Sequence, residues 1–372
     1  MIVIADDITG AAEIAGIAHS YGLRVLVIAT DTRSMSEAEA IAETRRIAAH
    51  LPPPTTHPSP LTSHPFKKTD SALRGHVVAE LSALMEATGC QRCVFLPANP
   101  SKGRIIRKGI YYINGIPIAD TDFSFDPEFP AKTSVLKERF PDAERHHIIM
   151  PDAESEEDIK RIVAAYDDGN TLFAGAADLF KSLIHAPIAQ AGGADPCPPD
   201  SEDALKEKAV LKLLPGEPGV RTLILCGSTQ SKPQGLGIPV CAMPLAVYEG
   251  REGADAWFES LRDSSPFASR SSLILTIPHR HLTGKDVAIR LRSVMAEMAR
   301  RLVEYAPFAH LVVEGGATAW ATLQSLGWTS FEVVRQIAPG VVQLRSDSGV
   351  LVTLKPGSYP WGQNSQLLTP NS

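Results

Sequence analysis

Short apolar runs alternate with helical stretches along the 372-residue chain, and that alternation leaves few folds open. Ile2–Ala5 has strand length and is followed by a polar turn, Asp6-Asp7-Ile8-Thr9-Gly10. Ile14, Ile17, Ala18 and Tyr21 then fall at the i, i+3, i+4, i+7 spacing of one helix face. Arg24–Ala29 reads as a second strand and Ser36–Leu51 as a second helix, capped by Ser34 or Ser36. Strand–helix alternation of this kind predicts an α/β fold, a mostly parallel sheet with helices on both faces.

The pattern continues with strands at Cys93–Leu96, His147–Met150 and Thr171–Ala174, and helices at Glu154–Tyr166 and Ala177–His185. Tyr111–Ile113 and Ile116–Ile118 flank Asn114-Gly115, a hairpin signal, because a type I′ turn needs positive φ at both central residues. Six prolines between Leu51 and Pro65 exclude a regular element there. Ala186–Gly219 holds six prolines and four glycines and reads as a linker with one short helix. A second series follows: strands at Thr222–Cys226, Ser272–Ile277 and His310–Glu314, helices at Lys285–Tyr305 and Thr318–Leu326, and a hairpin of Val341–Leu344 with Val350–Lys355. Single cores rarely exceed about 250–300 residues. The expectation is therefore two domains, 1–200 and 220–372, joined by a linker at 201–219.

Composition narrows the function classes. The apolar fraction of 44% supports a packed core, and 36 Lys plus Arg against 42 Asp plus Glu gives a net charge of −6. A general nucleic-acid binder would want a clustered basic excess instead. No apolar run approaches the roughly 20 residues of a membrane helix. The first residues lack the charged start and apolar segment of a secretion signal. Five cysteines without framework spacing suit a reduced cytoplasm. The expected location is cytoplasmic, with neither nucleic acid nor membrane as partner.

Three motifs gather chemistry at predicted strand ends, where open α/β sheets bind ligands. The first is Asp6-Asp7-Ile8-Thr9-Gly10. Its two carboxylates would serve as a base and as an orienting or metal-linked group, although Asp and Thr also suit a plain helix N-cap. The second is Lys67-Lys68-Thr69-Asp70-Ser71-Ala72-Leu73-Arg74-Gly75-His76. Arg74 would clamp a carboxylate and Asp70 would accept from a hydroxyl. The plain alternative is a solvated turn in which Asp70 or Ser71 caps a helix at Val77–Leu84. The third is Pro97-Ala98-Asn99-Pro100-Ser101-Lys102-Gly103-Arg104, which an ordinary Pro/Gly loop would also explain. In the second half, Cys226-Gly227-Ser228-Thr229 and Gly315-Gly316-Ala317-Thr318 follow strands. Such turns suit phosphate, and tight turns need glycine in any case. Lys355-Pro356-Gly357 ends the last hairpin. Neither GxxxxGK[ST] nor GxGxxG occurs, and the missing GxGxxG speaks against a dehydrogenase. His146-His147 and His279-Arg280-His281 lack further ligand spacing, so no protein metal site is expected. Cys90-Gln91-Arg92-Cys93 straddles a strand start rather than opening a helix, against a thioredoxin-like role.

In combination these motifs resemble the four-carbon acid sugar kinase family, with its ADD-x-TGA turn, K-x-DS-x-LRG segment, PA-x-P-x-x-GR loop and C-terminal glycine turns. Here they stand at Ala5–Ala11, Lys68–Gly75, Pro97–Arg104, Cys226–Ser228, Gly315–Ala319 and Lys355–Gly357. The resemblance spans nearly the whole chain in order. It implies a sugar-acid domain, a nucleotide domain and an active site in the cleft between them. The implied reaction is phosphorylation by ATP and Mg2+ of the terminal hydroxyl of threonate, erythronate or a 3-oxo-tetronate.

The roles the resemblance implies fall on particular residues. Asp7 is the base, with Asp6 or Asp70 as alternates, and Arg104 steadies charge on substrate or phosphate. Lys68 and Arg74 hold the substrate carboxylate; Asp70, Ser71 and Asn99 hold hydroxyls beside Gly103. Ser228, Gly315, Gly316, Gly340, Lys355 and Gly357 cradle ATP. A homodimer is the default assembly. Some positions depart from the pattern: Cys226 precedes Gly227, Ala317 replaces an acidic residue after the paired glycines, and His76 follows Gly75 where Asn is common. These departures favour a second hypothesis, a sugar-acid sensor that has lost ATP use.

Overall fold

The computed structural model describes residues 1–51, 64–126, 128–190, 221–227, 238–262, 272–278 and 284–357. The chain divides into two units, Met1–Cys197 and Pro198–Ser372. Along the first unit run β1 (Ile2–Ala5), β2 (Leu26–Ala29), β3 (Phe66–Lys68), β4 (Arg92–Leu96), β5 (Arg104–Arg107), β6 (Ile110–Ile113), β7 (Ile116–Pro117), β8 (Ile148–Ile149) and β9 (Thr171–Gly175). Its longer helices are α1 (Ile8–Ser20), α2 (Glu37–Ala48), α3 (Val77–Thr88), α4 (Glu156–Tyr166) and α5 (Ala177–Gln190).

Six of the strands form one parallel sheet in the order β2-β1-β3-β9-β4-β8. The chain leaves β1 for β2 on one side and returns to β3 on the other. That reversal opens a crevice beyond the carboxyl ends of β1 and β3. The register aligns those ends: Ala5 lies opposite Ala29 and Lys68, and Gly175 lies opposite Lys68 and Leu96. Strands covered on both faces can be apolar throughout. Accordingly Val3, Ile4, Val94, Phe95 and Leu172 are buried together with Ile14, Leu81, Leu84, Leu179 and Phe180 of the helices. Each such side chain contributes about 1.5–3 kcal/mol on burial.

Local chemistry sets the helix starts. Asp7 caps α1 by accepting from Gly10 N at 2.9 Å. Ser36, not Ser34, caps α2 in a reciprocal pair with Glu39. His76 occupies the cap position of α3, so neither Asp70 nor Ser71 caps that helix. Helix α5 extends to Gln190, five residues into the expected linker. Strand β3 has no counterpart in the sequence reading. Strands β5–β7 form a small antiparallel sheet of their own. Its Asn114-Gly115 turn has φ of 51° and 81°, as a type I′ hairpin requires.

The second unit contains β10 (Thr222–Cys226), β11 (Val240–Ala242), β12 (Leu273–Thr276), β13 (His310–Glu314), β14 (Phe331–Ala338), β15 (Val341–Ser346) and β16 (Leu351–Lys355). The longer helices are α6 (Ala254–Arg262), α7 (Lys285–Tyr305) and α8 (Gly316–Ser325). The strand order is β11-β12-β10-β13-β16-β15-β14. Five strands are parallel, and β15 and β14 add an antiparallel edge. The anticipated terminal hairpin is β15–β16, while β14 extends it by one strand that the sequence reading lacked. Here too the strand order reverses, between β10 and β13. Among the described residues no helix is long and apolar enough to cross a membrane.

Candidate active site

The crevice of the first unit collects the side chains that leave β1, β2, β3 and β4 at one sheet edge. Arg33, from the turn after β2, donates to Asp6 Oδ2 from Nε (3.1 Å) and Nη2 (2.9 Å). Its Nη1 reaches Asp7 Oδ2 at 3.3 Å, and Nη2 lies 3.7 Å from Asp70 Oδ1. One guanidinium thus answers three buried carboxylates.

Burial, and secondarily the charge of Asp7, raises the pKa of Asp6 despite Arg33. Burial also works to raise Asp7, but Arg33, Lys68 and the Thr9 hydroxyl outweigh it and hold Asp7 below its ordinary value. At Asp70 burial is likewise outweighed, by Arg74, Arg33 and Arg104, and the carboxyl titrates well below the usual range.

Both Asp7 oxygens are engaged. Oδ1 accepts from Gly10 N, and Oδ2 accepts from Thr9 Oγ1 (2.6 Å) and Arg33. Gly10 permits this approach: a Cβ there would meet Asp7 Oδ1 at 2.6 Å and Lys68 Nζ at 3.2 Å. By contrast, Asp6 Oδ1, Thr69 Oγ1 and Asn99 Nδ2 are buried with no hydrogen-bond partner among the described residues.

Strand alternation sends Lys67 and Lys68 to opposite faces of β3. Lys68 lies 3.7 Å from Glu13 on α1, and Lys102 reaches the other Glu13 oxygen at 2.5 Å. Lys67 pairs at 2.6 Å with Glu80 of α3, which also accepts from Thr32 Oγ1 at 2.7 Å. Arg74 clamps a carboxylate, but it is Asp70 of the same chain, at 2.6 and 3.2 Å, with Asp126 at 3.6 Å. Arg104 Nη1 donates to Ser71 Oγ. The buried Tyr111 hydroxyl donates to Ser71 O (2.6 Å) and Pro97 O (3.0 Å), tying the β3 and β4 loops together. At Gly103 φ is 66°, and a Cβ would strike Asn114 Oδ1, so the turn into β5 requires glycine.

Asp6, Asp7, Lys68, Asp70, Ser71, Arg74, Asn99, Gly103 and Arg104 therefore gather at one edge. Sequence reasoning missed Arg33, Glu13 and Tyr111. Arg33 follows a strand, and the rule that singled out Asp6 applies to it equally. Glu13 is the lone acid in an otherwise apolar helical stretch, itself a signal of a buried partner. Cys90 and Cys93 are buried, which raises both thiols above their ordinary values, Cys93 strongly.

In the second unit, Gly315 (φ 102°) precedes α8 and Gly316 is its first residue. The register of Glu314 with Lys355, and of Val342 with Leu354, brings the Gly340 turn to the same edge. Lys355 Nζ is engaged by Glu314 Oε1 and Pro356 O, while Glu314 Oε2 has no hydrogen-bond partner among the described residues. A Cβ on Gly227 would fall 2.0 Å from Thr318 Oγ1, so β10 and α8 approach as closely as glycine allows. Gly357 ends the described chain, and Ser228 and His279–His281 lie outside the described residues.

Residues 1–147 match the family model of a sugar-binding N-terminal domain, and residues 267–359 that of a nucleotide-binding C-terminal domain. A D-threonate kinase of Salmonella typhimurium is 34% identical over 154 residues, covering 37% of this chain and 35% of that protein. A 3-oxo-tetronate kinase of Brucella melitensis is 25% identical over 411 aligned positions, 96% of this chain and 92% of that protein. A crystal structure from Salmonella typhimurium LT2 shares the fold, with TM-score 0.68, 18% identity and 96% of each chain covered. One from Haemophilus influenzae does so at 0.60 and 18%, covering 99% of this chain and 98% of that one. With both domains matched in order and kinase relatives aligned along nearly its full length, the chain belongs to the four-carbon acid sugar kinase family.

Proposed function

We propose that the chain transfers the γ-phosphoryl group of ATP to the terminal (4-) hydroxyl of threonate, erythronate or a 3-oxo-tetronate, in the cytoplasm. Residues 1–200 take the sugar acid and residues 220–372 the nucleotide, with 201–219 between them. One observation carries the reading: among the described residues Asp6 Oδ1, Thr69 Oγ1 and Asn99 Nδ2 find no hydrogen-bond partner amid the buried charges of the β1–β3 crevice. Buried polar atoms are normally paired, so unspent donors and acceptors at one edge suit a small polyhydroxylated anion.

ATP supplies the phosphoryl group, and Mg2+ offsets the charge of its phosphates. Asp7 takes the hydroxyl proton. Arg33 and Lys68 keep it ionised, and a loose phosphoryl transition state asks for positioning more than for a strong base. Asp6, held by Arg33, is the alternate. Asp70 is the poorest acceptor of the three, since Arg74 engages both its oxygens. It acts by orienting substrate hydroxyls together with Ser71. The start of α8, with Gly315 and Gly316, offers backbone N–H groups to phosphate, and Gly340, Lys355, Gly357 and Ser228 complete the ATP site. Glu314 Oε2 is the buried oxygen there that suits a phosphate-bound cation.

The test is ADP release with ATP, Mg2+ and a panel of four-carbon acids, repeated with Asp7→Asn. Asn caps a helix as well as Asp, so the variant should keep its fold while losing at least about a hundredfold in turnover. No ADP release with any four-carbon acid would refute the reading. The pairing of Lys355 with Glu314 favours a second reading, a sugar-acid sensor without ATP use. Thermal stabilisation by a tetronate but not by ATP would select it.

A further inference from the structure

We infer that Arg104 and Asn99 together receive the carboxylate of the sugar acid. The inference rests on the kinase reading above and adds which side chains recognise the acid group.

Asn99 and Arg104 face each other across an antiparallel bridge, with Asn99 N donating to Arg104 O at 2.8 Å and Arg104 N to Asn99 O at 3.2 Å. Residues opposed in this way send their side chains to the same face. Arg104 is only 8% exposed. Its guanidinium donates to the Ser71 hydroxyl, and no carboxylate among the described residues lies within ion-pair distance of it. The neighbouring cations are answered: Arg33 by Asp6, Asp7 and Asp70, Arg74 by Asp70 and Asp126, Lys68 and Lys102 by Glu13. Asp70 lies near enough to feel the charge of Arg104 but commits its oxygens to Arg74. Of these five cations, Arg104 alone lacks an anion among the described residues.

Asn99 supplies the complementary donor. It is 1% exposed, and its Oδ1 accepts from Asp178 N at 3.1 Å. A backbone N–H can only donate, which fixes the amide orientation and leaves Nδ2 as the end with no partner among the described residues. A guanidinium fork beside an amide donor matches a planar carboxylate. The Phe123 ring lies 5.9 Å from the guanidinium carbon, and an apolar neighbour beside a buried cation lowers the local dielectric and so strengthens its attraction for an anion. Tyr111, by holding Ser71, fixes the hydroxyl on which Arg104 leans. The carboxylate thus docks here and not on Arg74 and Lys68, whose charges are already matched.

The experiment compares a tetronate with its primary amide, which keeps every hydroxyl and loses the charge. Affinity is measured by calorimetry without ATP, and kcat/KM by ADP release, for wild type, Arg104→Gln, Arg104→Lys and Asn99→Asp. The wild type should prefer the acid. That preference should fall at least tenfold in Arg104→Gln and in Asn99→Asp, which offers Arg104 an internal anion, and fall less in Arg104→Lys. Circular dichroism and ATP binding report the fold of each variant. A wild type indifferent to the charge, a wild type that binds neither compound, or folded variants with the wild-type acid-to-amide ratio would each overturn the inference. Absence of ADP release by the wild type would instead sink the kinase reading, and the calorimetric ratio would still decide this one.

Discussion

Arg33 donates from Nε and Nη2 to a single oxygen of Asp6, at 3.1 and 2.9 Å, and its remaining terminal nitrogen turns to Asp7 at 3.3 Å. Adjacent acids at the end of β1 coexist because this guanidinium lies between them. Replacing Arg33 by Met should cost about 3–5 kcal/mol, the usual result of stranding buried charge. The deficit, read from urea unfolding, should narrow between pH 7 and pH 5, because the stranded carboxylates would then take up protons on folding. A deficit that stays constant with pH would contradict this account.

Asp70 governs an acid limb. Its folded-state pKa lies well below the unfolded value of about 3.9, so the unfolded chain binds more protons as pH falls past that value. The stability it contributes is present above about pH 4 and is lost as pH falls toward the folded pKa. Asp70→Asn should therefore show a shallower decline in Tm than the wild type between pH 5 and pH 3. Parallel declines would remove Asp70 from that role.

Lys67 and Glu80 pair at 2.6 Å with both side chains buried. Breaking the pair by Lys67→Met should cost about 3–5 kcal/mol, whereas Lys67→Met with Glu80→Met should recover most of it, since two apolar groups strand no charge. A double-mutant cycle by chemical denaturation checks this. A double variant as weak as the single one would mean that the Thr32 contact, not the ion pair, dominates.

Gly175 sits where β9 and β4 meet, and a Cβ there would lie 2.0 Å from Leu96 O. The obstacle is backbone, which cannot swing aside. Gly175→Ala should destabilise by about 1–3 kcal/mol or more, as overpacking does, and should weaken sugar-acid binding through the displaced Asn99 loop. Wild-type Tm and affinity in that variant would refute the constraint.

The sequence made the scaffold legible wherever apolar periodicity was clean. The helix Lys285–Tyr305 and the strands Ile2–Ala5, Thr222–Cys226 and His310–Glu314 have the expected bounds. Phe66–Lys68 stayed hidden because two of its three residues are lysines, buried only because Glu80 and Glu13 meet them across the fold. Phe331–Ala338 alternates half-buried residues with the charged Glu332 and Arg335, as an edge strand does, and carries no continuous apolar run. The site was legible as a set of strand-end residues. Its pairing was not: nothing local in the sequence says that Arg74 is occupied by Asp70 while Arg104 is left without an anion among the described residues. Spacing identifies the residues at an edge, but charge matching is a property of the folded neighbourhood.

Arg104 opens the small antiparallel sheet β5–β7, whereas Asp7 stands at the end of the central parallel strands. On the roles proposed above, the guanidinium that meets the acid group and the carboxylate that takes the proton stand on separate frameworks, with Asn99 on the loop that joins them. If those roles hold, substitutions at positions 105–117 would reshape what the pocket admits while the turn that carries Asp7 stays as it is.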